Sequence, residues 1–183
     1  DACLEAARKV KEQGFMPVPH VAARNFPSEA ALNAFFEGIQ ALGLPKILLL
    51  AGGHGAPEGP YHSSFDILET EAFRKAGLET VALAGHPEGN PEDARSWENL
   101  LEKCSRLHDL GIRVEIVTQW SFSPEKVDAY LEALHKAGIT IPVRVGVPGP
   151  ANLKTLIKYA KICGVSASAT AIRKQGLNIG KML

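Results

Sequence analysis

Lys46–Tyr61 reads KILLLAGGHGAPEGPY, and the fold of the whole chain turns on how this stretch is understood. Five consecutive apolar residues, Ile47 to Ala51, run directly into Gly52, Gly53, His54 and Gly55, and then into a proline-containing loop. An apolar run without polar alternation suits a strand buried on both faces, as in a parallel sheet covered by helices. Chemistry in such sheets gathers at the carboxyl ends of the strands. Glycines there let the backbone approach a ligand closely, because no Cβ intervenes. The plainer reading is a tight strand-to-loop exit with an incidental histidine.

Working outward, the same unit recurs. Residues 1–13 carry Leu4, Ala7 and Val10 at helical spacing and stop at Gly14. Phe15 to Ala22 is expected to be a short strand confined by two prolines, with His20 at its carboxyl end. Ser28 caps a helix with Ala31, Leu32, Phe35, Phe36 and Ile39 on one face, ending at Gly43. After the strand Lys46 to Ala51, a helix is expected from Ser63 or Ser64 to Gly77, then a strand from Thr80 to Ala84 that ends in Gly85 and His86. Trp97 to Leu110 is the next helix, with Leu100, Leu101, Cys104 and Leu107 inward, followed by a strand from Val114 to Gln119. Ser123 and Pro124 open a helix that turns Val127, Tyr130, Leu131 and Leu134 inward and stops at Gly138. Pro142 to Val147 is the last strand, and Leu153 to Cys163 its helix, with Leu156, Ile157 and Ala160 facing in.

Strand, glycine-rich loop and helix thus repeat at spacings of roughly 30 residues, which implies parallel strands with right-handed crossovers. An open doubly wound sheet and a (β/α)8 barrel both fit that beat. No strand is followed by the G-x-G-x-x-G phosphate fingerprint, which lowers the weight of the dinucleotide-binding open sheet. In a barrel the polar residues at strand carboxyl ends line one mouth, matching His20, His54, His86 and Gln119. Five strands do not close a barrel, so the barrel reading expects further strands outside this stretch.

Lysine plus arginine equals aspartate plus glutamate, twenty of each, which argues against nucleic acid or a polybasic membrane contact and favours a small, buried ligand. The three cysteines, Cys3, Cys104 and Cys163, lack paired spacing and are expected to be reduced and structural in a cytoplasmic protein, with no metal. No stretch reaches the roughly 18 apolar residues of a membrane span. A Schiff-base aldolase barrel would need a lysine near a strand's carboxyl end, and Lys46 stands at the opposite end of its strand.

The order of PHV at His20, LLLAGGH, GPYHSS, AGHPEGNPED, IVTQWSFSPE, VRVGVPGPANL and GVSASA resembles the methylenetetrahydrofolate reductase family, flavin-containing (β/α)8 TIM barrels. The resemblance runs through nearly the whole chain. It implies one barrel domain over 1–183, covering family strands three to seven and expected to be incomplete at both ends. The family's catalytic glutamate, at the end of the first strand, has no counterpart in this sequence.

The resemblance also assigns residues. His20 matches a PH-motif histidine lining the flavin site. Ala51, Gly52, Gly53 and His54 match a segment where the family usually has an acid near the flavin pyrimidine and the folate pterin. That position reads here as His54, or as Gly53 when the loop is aligned without a gap. A carboxylate there would make the flavin harder to reduce, whereas a histidine favours a reduced, anionic flavin and is a helper to the catalytic acid. Tyr61, His62 and Ser63 match the loop around the ribityl and phosphate groups, where a backbone amide and a hydroxyl at a helix N-terminus suit phosphate; Ser63 equally suits a plain N-cap. His86 and Asn90 stand where the family has the tyrosine of a YPE motif and a histidine. Lys103 matches a position approaching the diphosphate, or is an ordinary helical lysine.

Gln119 matches the glutamine that reads the pterin, and its amide offers both a donor and an acceptor. Trp120 and Phe122 offer aromatic surface for a pterin or aminobenzoyl ring. Arg144 meets either an acid inside the barrel or the glutamate tail of folate. The activity implied is FAD-dependent reduction of 5,10-methylenetetrahydrofolate to 5-methyltetrahydrofolate in one-carbon and methionine metabolism. The electron donor is NADH, NADPH or a partner protein, and the assembly a homo-oligomer or a complex with that partner. The alternative is a folate- or flavin-binding paralogue without reductase activity, serving one-carbon transfer or an accessory role, motivated by His54, His86 and Asn90.

Overall fold

The computed structural model describes residues 2–53 and 55–165. The strands are β1 (His20–Ala22), β2 (Lys46–Leu50), β3 (Thr80–Gly85), β4 (Arg113–Thr118) and β5 (Val143–Arg144). The helices are α1 (Ala2–Glu12), α2 (Glu29–Ala41), α3 (Ser64–Leu68), α4 (Glu71–Lys75), α5 (Ser96–Asp109), α6 (Pro124–Lys136) and α7 (Leu153–Ile162), with a 3-10 turn at Ala23–Asn25. The five strands form one parallel sheet in the order β1-β2-β3-β4-β5. Register is set by pairs such as Val21 with Leu49, Leu48 with Ala82 and Val117 with Arg144.

That sequential order decides between the two architectures. A doubly wound sheet reverses direction at a switch point, so its order cannot run straight from first strand to last. Successive crossovers that always advance to the next strand are the winding of (β/α)8 units.

The chain divides into two compact units, one comprising Asp1–Leu83 with Lys103–Glu115, the other Ala84–Glu102 with the chain from Ile116 onward. In the first, Phe26, Phe35, Phe36 and Phe73 touch edge to face in series, with centroids 5.4, 6.0 and 6.1 Å apart. These contacts tie the inner stripe of α2 to α4, each adding about 0.5–1.5 kcal/mol beyond its burial. Ile47, Leu49, Val81 and Leu83 complete this core. Lys46 forms an ion pair with the buried Glu115 of β4. In the second unit Leu100, Ile116, Tyr130 and Leu134 are buried, and Ala160 and Val165 pack with Trp120, Leu156, Ile157 and Cys163.

Three boundaries differ from expectation, each for a local reason. β1 begins only at His20, because Pro17 and Pro19 have no N–H for a ladder; the Pro19 carbonyl still accepts the Leu48 N–H at 2.9 Å. His20 therefore opens this strand, with an exposed side chain, and does not close it. The single helix expected to Gly77 is two, because the Thr70 hydroxyl accepts the Phe73 N–H at 3.2 Å and so caps a new helix. β5 stops at Arg144, where the Thr118 hydroxyl accepts the Gly146 N–H at 2.9 Å in place of a ladder carbonyl.

Candidate functional site

In the first unit the loop leaving β2 is held by residues of the turn that follows β1. The Arg24 N–H donates to the Ala51 carbonyl at 2.9 Å, and the Arg24 carbonyl accepts the Glu58 N–H at 2.8 Å. Its guanidinium Nε donates to the His62 carbonyl at 2.8 Å, and Nη1 reaches the Gly53 carbonyl at 3.5 Å. Gly52 has φ +114°, and a Cβ on it would lie 3.1 Å from the Arg24 Cβ, so glycine is needed for both conformation and space. Gly53 is exposed and its backbone borders open space. His54 lies outside the described residues.

Farther along this loop, Tyr61 is buried, and burial pushes its phenol pKa up, with the Glu29 carboxylate adding to the rise. At this helix N-terminus, expected to suit a phosphate, the amides of His62 and Ser63 both donate to Asp66 Oδ2, at 2.6 and 2.9 Å. A carboxylate of the chain itself therefore satisfies the start of α3. Lys103 donates to the buried Ser64 hydroxyl at 3.2 Å and stands 5.6 Å from the centre of the Phe65 ring. Arg106 covers the same ring at 4.9 Å and pairs with Glu69 at 2.7 Å, so α5 clasps α3 through Phe65.

In the second unit the loops leaving β3 and β4 are joined. The Gln119 N–H donates to the Gly85 carbonyl at 2.7 Å. Ser121, buried, donates its hydroxyl to Glu88 at 2.8 Å and accepts the Ser123 N–H at 2.9 Å. Gln119 Oε1 accepts the Trp120 N–H at 3.1 Å, which steadies the orientation of the amide. Trp120 and Phe122 meet edge to face at 5.8 Å, and Phe122 is 40% exposed. His86 lines a cavity of about 120 Å3 with Ser96, Trp97, Leu100 and Tyr130. The Asn90 side chain accepts the Glu92 N–H at 3.1 Å, an Asx turn that sets the loop before α5. Arg144 closes β5 with an exposed side chain.

Sequence reasoning overlooked Arg24, Asp66 and the Ser121–Glu88 bond. Asp66 had a signal, since S-x-x-D at Ser63 is a capping box. Arg24 had a weaker one, a cation just beyond an apolar strand. Ser121 had none, because its partner lies 33 residues away. No disulfide links Cys3, Cys104 and Cys163, and burial pushes the Cys104 thiol up, keeping it protonated and unreactive. Among the described residues no group of three or more His, Cys, Asp or Glu is placed to hold a metal, and no helix is long and apolar enough to cross a membrane.

The family model described as methylenetetrahydrofolate reductase matches residues 2–175. With the sequentially wound parallel sheet, this places the chain in a family of barrel-forming, folate-related reductase type. The chain belongs to the methylenetetrahydrofolate reductase family.

Proposed function

We propose that this chain serves the FAD-dependent reduction of 5,10-methylenetetrahydrofolate to 5-methyltetrahydrofolate, with NADH, NADPH or a partner protein as electron source. The family match over residues 2–175 carries this reading. The chain's own residues fit a flavin in two respects. The Ala51–Gly53 backbone leaves β2 without side-chain cover at Gly53, as close approach of a flat ring requires. Lys103, on Ser64, supplies a cation beside the loop proposed for the ribityl and phosphate side. When bound, the flavin supplies a carrier that takes up a hydride and returns it to the folate.

The remaining work falls to side chains. Gln119 holds the pterin edge through its NH2 group and remaining lone pair, Trp120 and Phe122 stack against the folate rings, and Arg144 meets the glutamate tail. By the family resemblance His20, Tyr61, His62 and Ser63 of the first unit are assigned to the flavin, as are His86 and Asn90 of the second. His54 assists the acid that opens the five-membered ring of the substrate. The alternative, a paralogue that binds folate or flavin without reducing it, draws support from Asp66, which occupies the two amides best suited to a phosphate.

The visible spectrum of the purified full-length protein with added FAD, followed by anaerobic addition of 5-methyltetrahydrofolate, tests the proposal. Flavin bands that bleach with the folate support the reductase. A colourless protein that takes up no FAD overturns it, and folate binding by calorimetry then decides for or against the paralogue.

A further inference from the structure

We infer that Arg24 is an anion-binding residue of the β2 exit loop, receiving a phosphate or carboxylate group of the ligand held there. Its position is fixed before any ligand arrives: the main chain is bonded on both sides, to Ala51 and Glu58, and the guanidinium is oriented by the carbonyls of His62 and Gly53. Of the five N–H donors of a guanidinium, those two contacts engage two, and among the described residues nothing engages the other three.

The carbonyls orient the charge without neutralising it. No carboxylate among the described residues lies within ion-pair distance of Arg24, whereas Lys46, Arg106 and Arg113 of the same unit pair with Glu115, Glu69 and Glu79. A partly exposed cation oriented by carbonyls and without a carboxylate beside it remains able to receive an anionic ligand. The planar fork of an arginine matches the two oxygens of a phosphate or carboxylate.

Two further observations favour this loop. A Cβ on Gly53, whose carbonyl the guanidinium reaches, would have nothing within 4 Å, so the backbone at that point borders open space. The nearby amides that would otherwise receive an anion are taken by Asp66. The anion has two sources under the reading proposed above, on which this inference rests: the diphosphate of the dinucleotide and the carboxylates of the folate tail.

The test titrates the full chain and its Arg24→Gln and Arg24→Lys variants with FAD, riboflavin, 5-methyltetrahydrofolate and the pteroate form lacking glutamate. Arg24→Gln is expected to weaken FAD or the glutamylated folate about 10- to 100-fold, and Arg24→Lys less. The matching ligand without the anion should bind all three proteins equally, which also shows that the loop has stayed folded. Loss confined to FAD over riboflavin assigns the diphosphate; loss confined to the folate over its pteroate assigns the tail. Equal losses for ligands with and without the anion would make Arg24 a brace of the loop alone, and unchanged affinity for all four would leave it touching no ligand; either overturns the inference. If the wild-type chain takes up no FAD, the reductase reading falls and the folate arm still decides Arg24. Binding of none of the four overturns both.

Discussion

The loop leaving β2 and the carboxyl end of β3 each contain a glycine whose missing Cβ is filled by a neighbour, but the neighbours differ in kind. A Cβ on Gly59 would run into the backbone, at the Phe26 carbonyl oxygen and Pro27. A Cβ on Gly85 would run into side chains, 2.6 Å from the Tyr130 hydroxyl and 2.7 Å from Ile116 Cγ2. The rest of each region follows suit. The first is stitched by charged groups gripping main chain, Arg24 on two carbonyls and Asp66 on two amides. The second is set by side chains meeting side chains, Ser121 on Glu88, Trp120 on Phe122 and Trp97 on Tyr130. Main chain moves only with its whole segment, whereas a side chain can change rotamer. The first loop should therefore tolerate change poorly and the second should give way locally.

The largest effect is expected at the base of β2, where charge again does the holding. Lys46→Met takes the ammonium away from Glu115, a carboxylate only 8% exposed, and should lower stability by about 3–5 kcal/mol in urea titrations. The pair Lys46→Met with Glu115→Leu should recover most of it, since both charges then leave the interior together. A single variant that loses less than about 1 kcal/mol would break the idea that charge secures this unit.

The two glycines give the direct comparison. Gly59→Ala should cost about 3 kcal/mol and Gly85→Ala about 1–2 kcal/mol, because only the second has a neighbour able to turn aside. Adding Tyr130→Phe removes the closest atom, leaves Ile116 Cγ2 at 2.7 Å, and should restore part of the stability lost in Gly85→Ala, as read from thermal melts, while leaving Gly59→Ala unimproved. Equal costs at both positions would erase the distinction.

Smaller changes are expected from single polar groups in the first loop. Asp66→Ala should cost about 1–2 kcal/mol and speed hydrogen exchange at the His62 and Ser63 amides, which lose their acceptor. Slow exchange in that variant would show that the carboxylate is dispensable to the turn.

The smallest effect concerns alkaline pH. The Tyr61 phenol is pushed above the ordinary tyrosine value of 10.0 by burial first and by Glu29 second. As pH rises past 10, the unfolded chain loses this proton before the folded one, so the folded state binds more protons and its stability falls until the folded-state pKa is passed. Tyr61→Phe should flatten that part of the stability profile, measured by denaturation between pH 9 and about 11.5. An unchanged slope would place the alkaline loss on other groups.

Much of the fold could be read along the chain. Helix faces such as Leu32, Phe35, Phe36 and Ile39 on α2 are buried as their spacing requires, and the Ser28 side chain accepts the Ala31 N–H to cap that helix at 3.2 Å. Where boundaries moved, as at β1 and β5, a proline or a distant hydroxyl replaced the ladder. For the candidate site the residue types and order were legible through the resemblance, but the partners were not. Lys46 reads as a lysine on the wrong end of a strand until Glu115 is seen beside it.

The sequence alone determined the alternation of parallel strands and helices, the caps that delimit several helices, and the family, because periodicity, cap residues and motif order are properties of neighbours in the chain. The tertiary structure decided the sequential strand order, the gripping of the β2 exit loop by Arg24, and the capture by Asp66 of amides that otherwise invite a phosphate. Arg24 and His62 are 38 residues apart, and no local pattern encodes such a meeting. It follows from parallel strands that deliver their exit loops to neighbouring positions, where charge and available space then select the contacts.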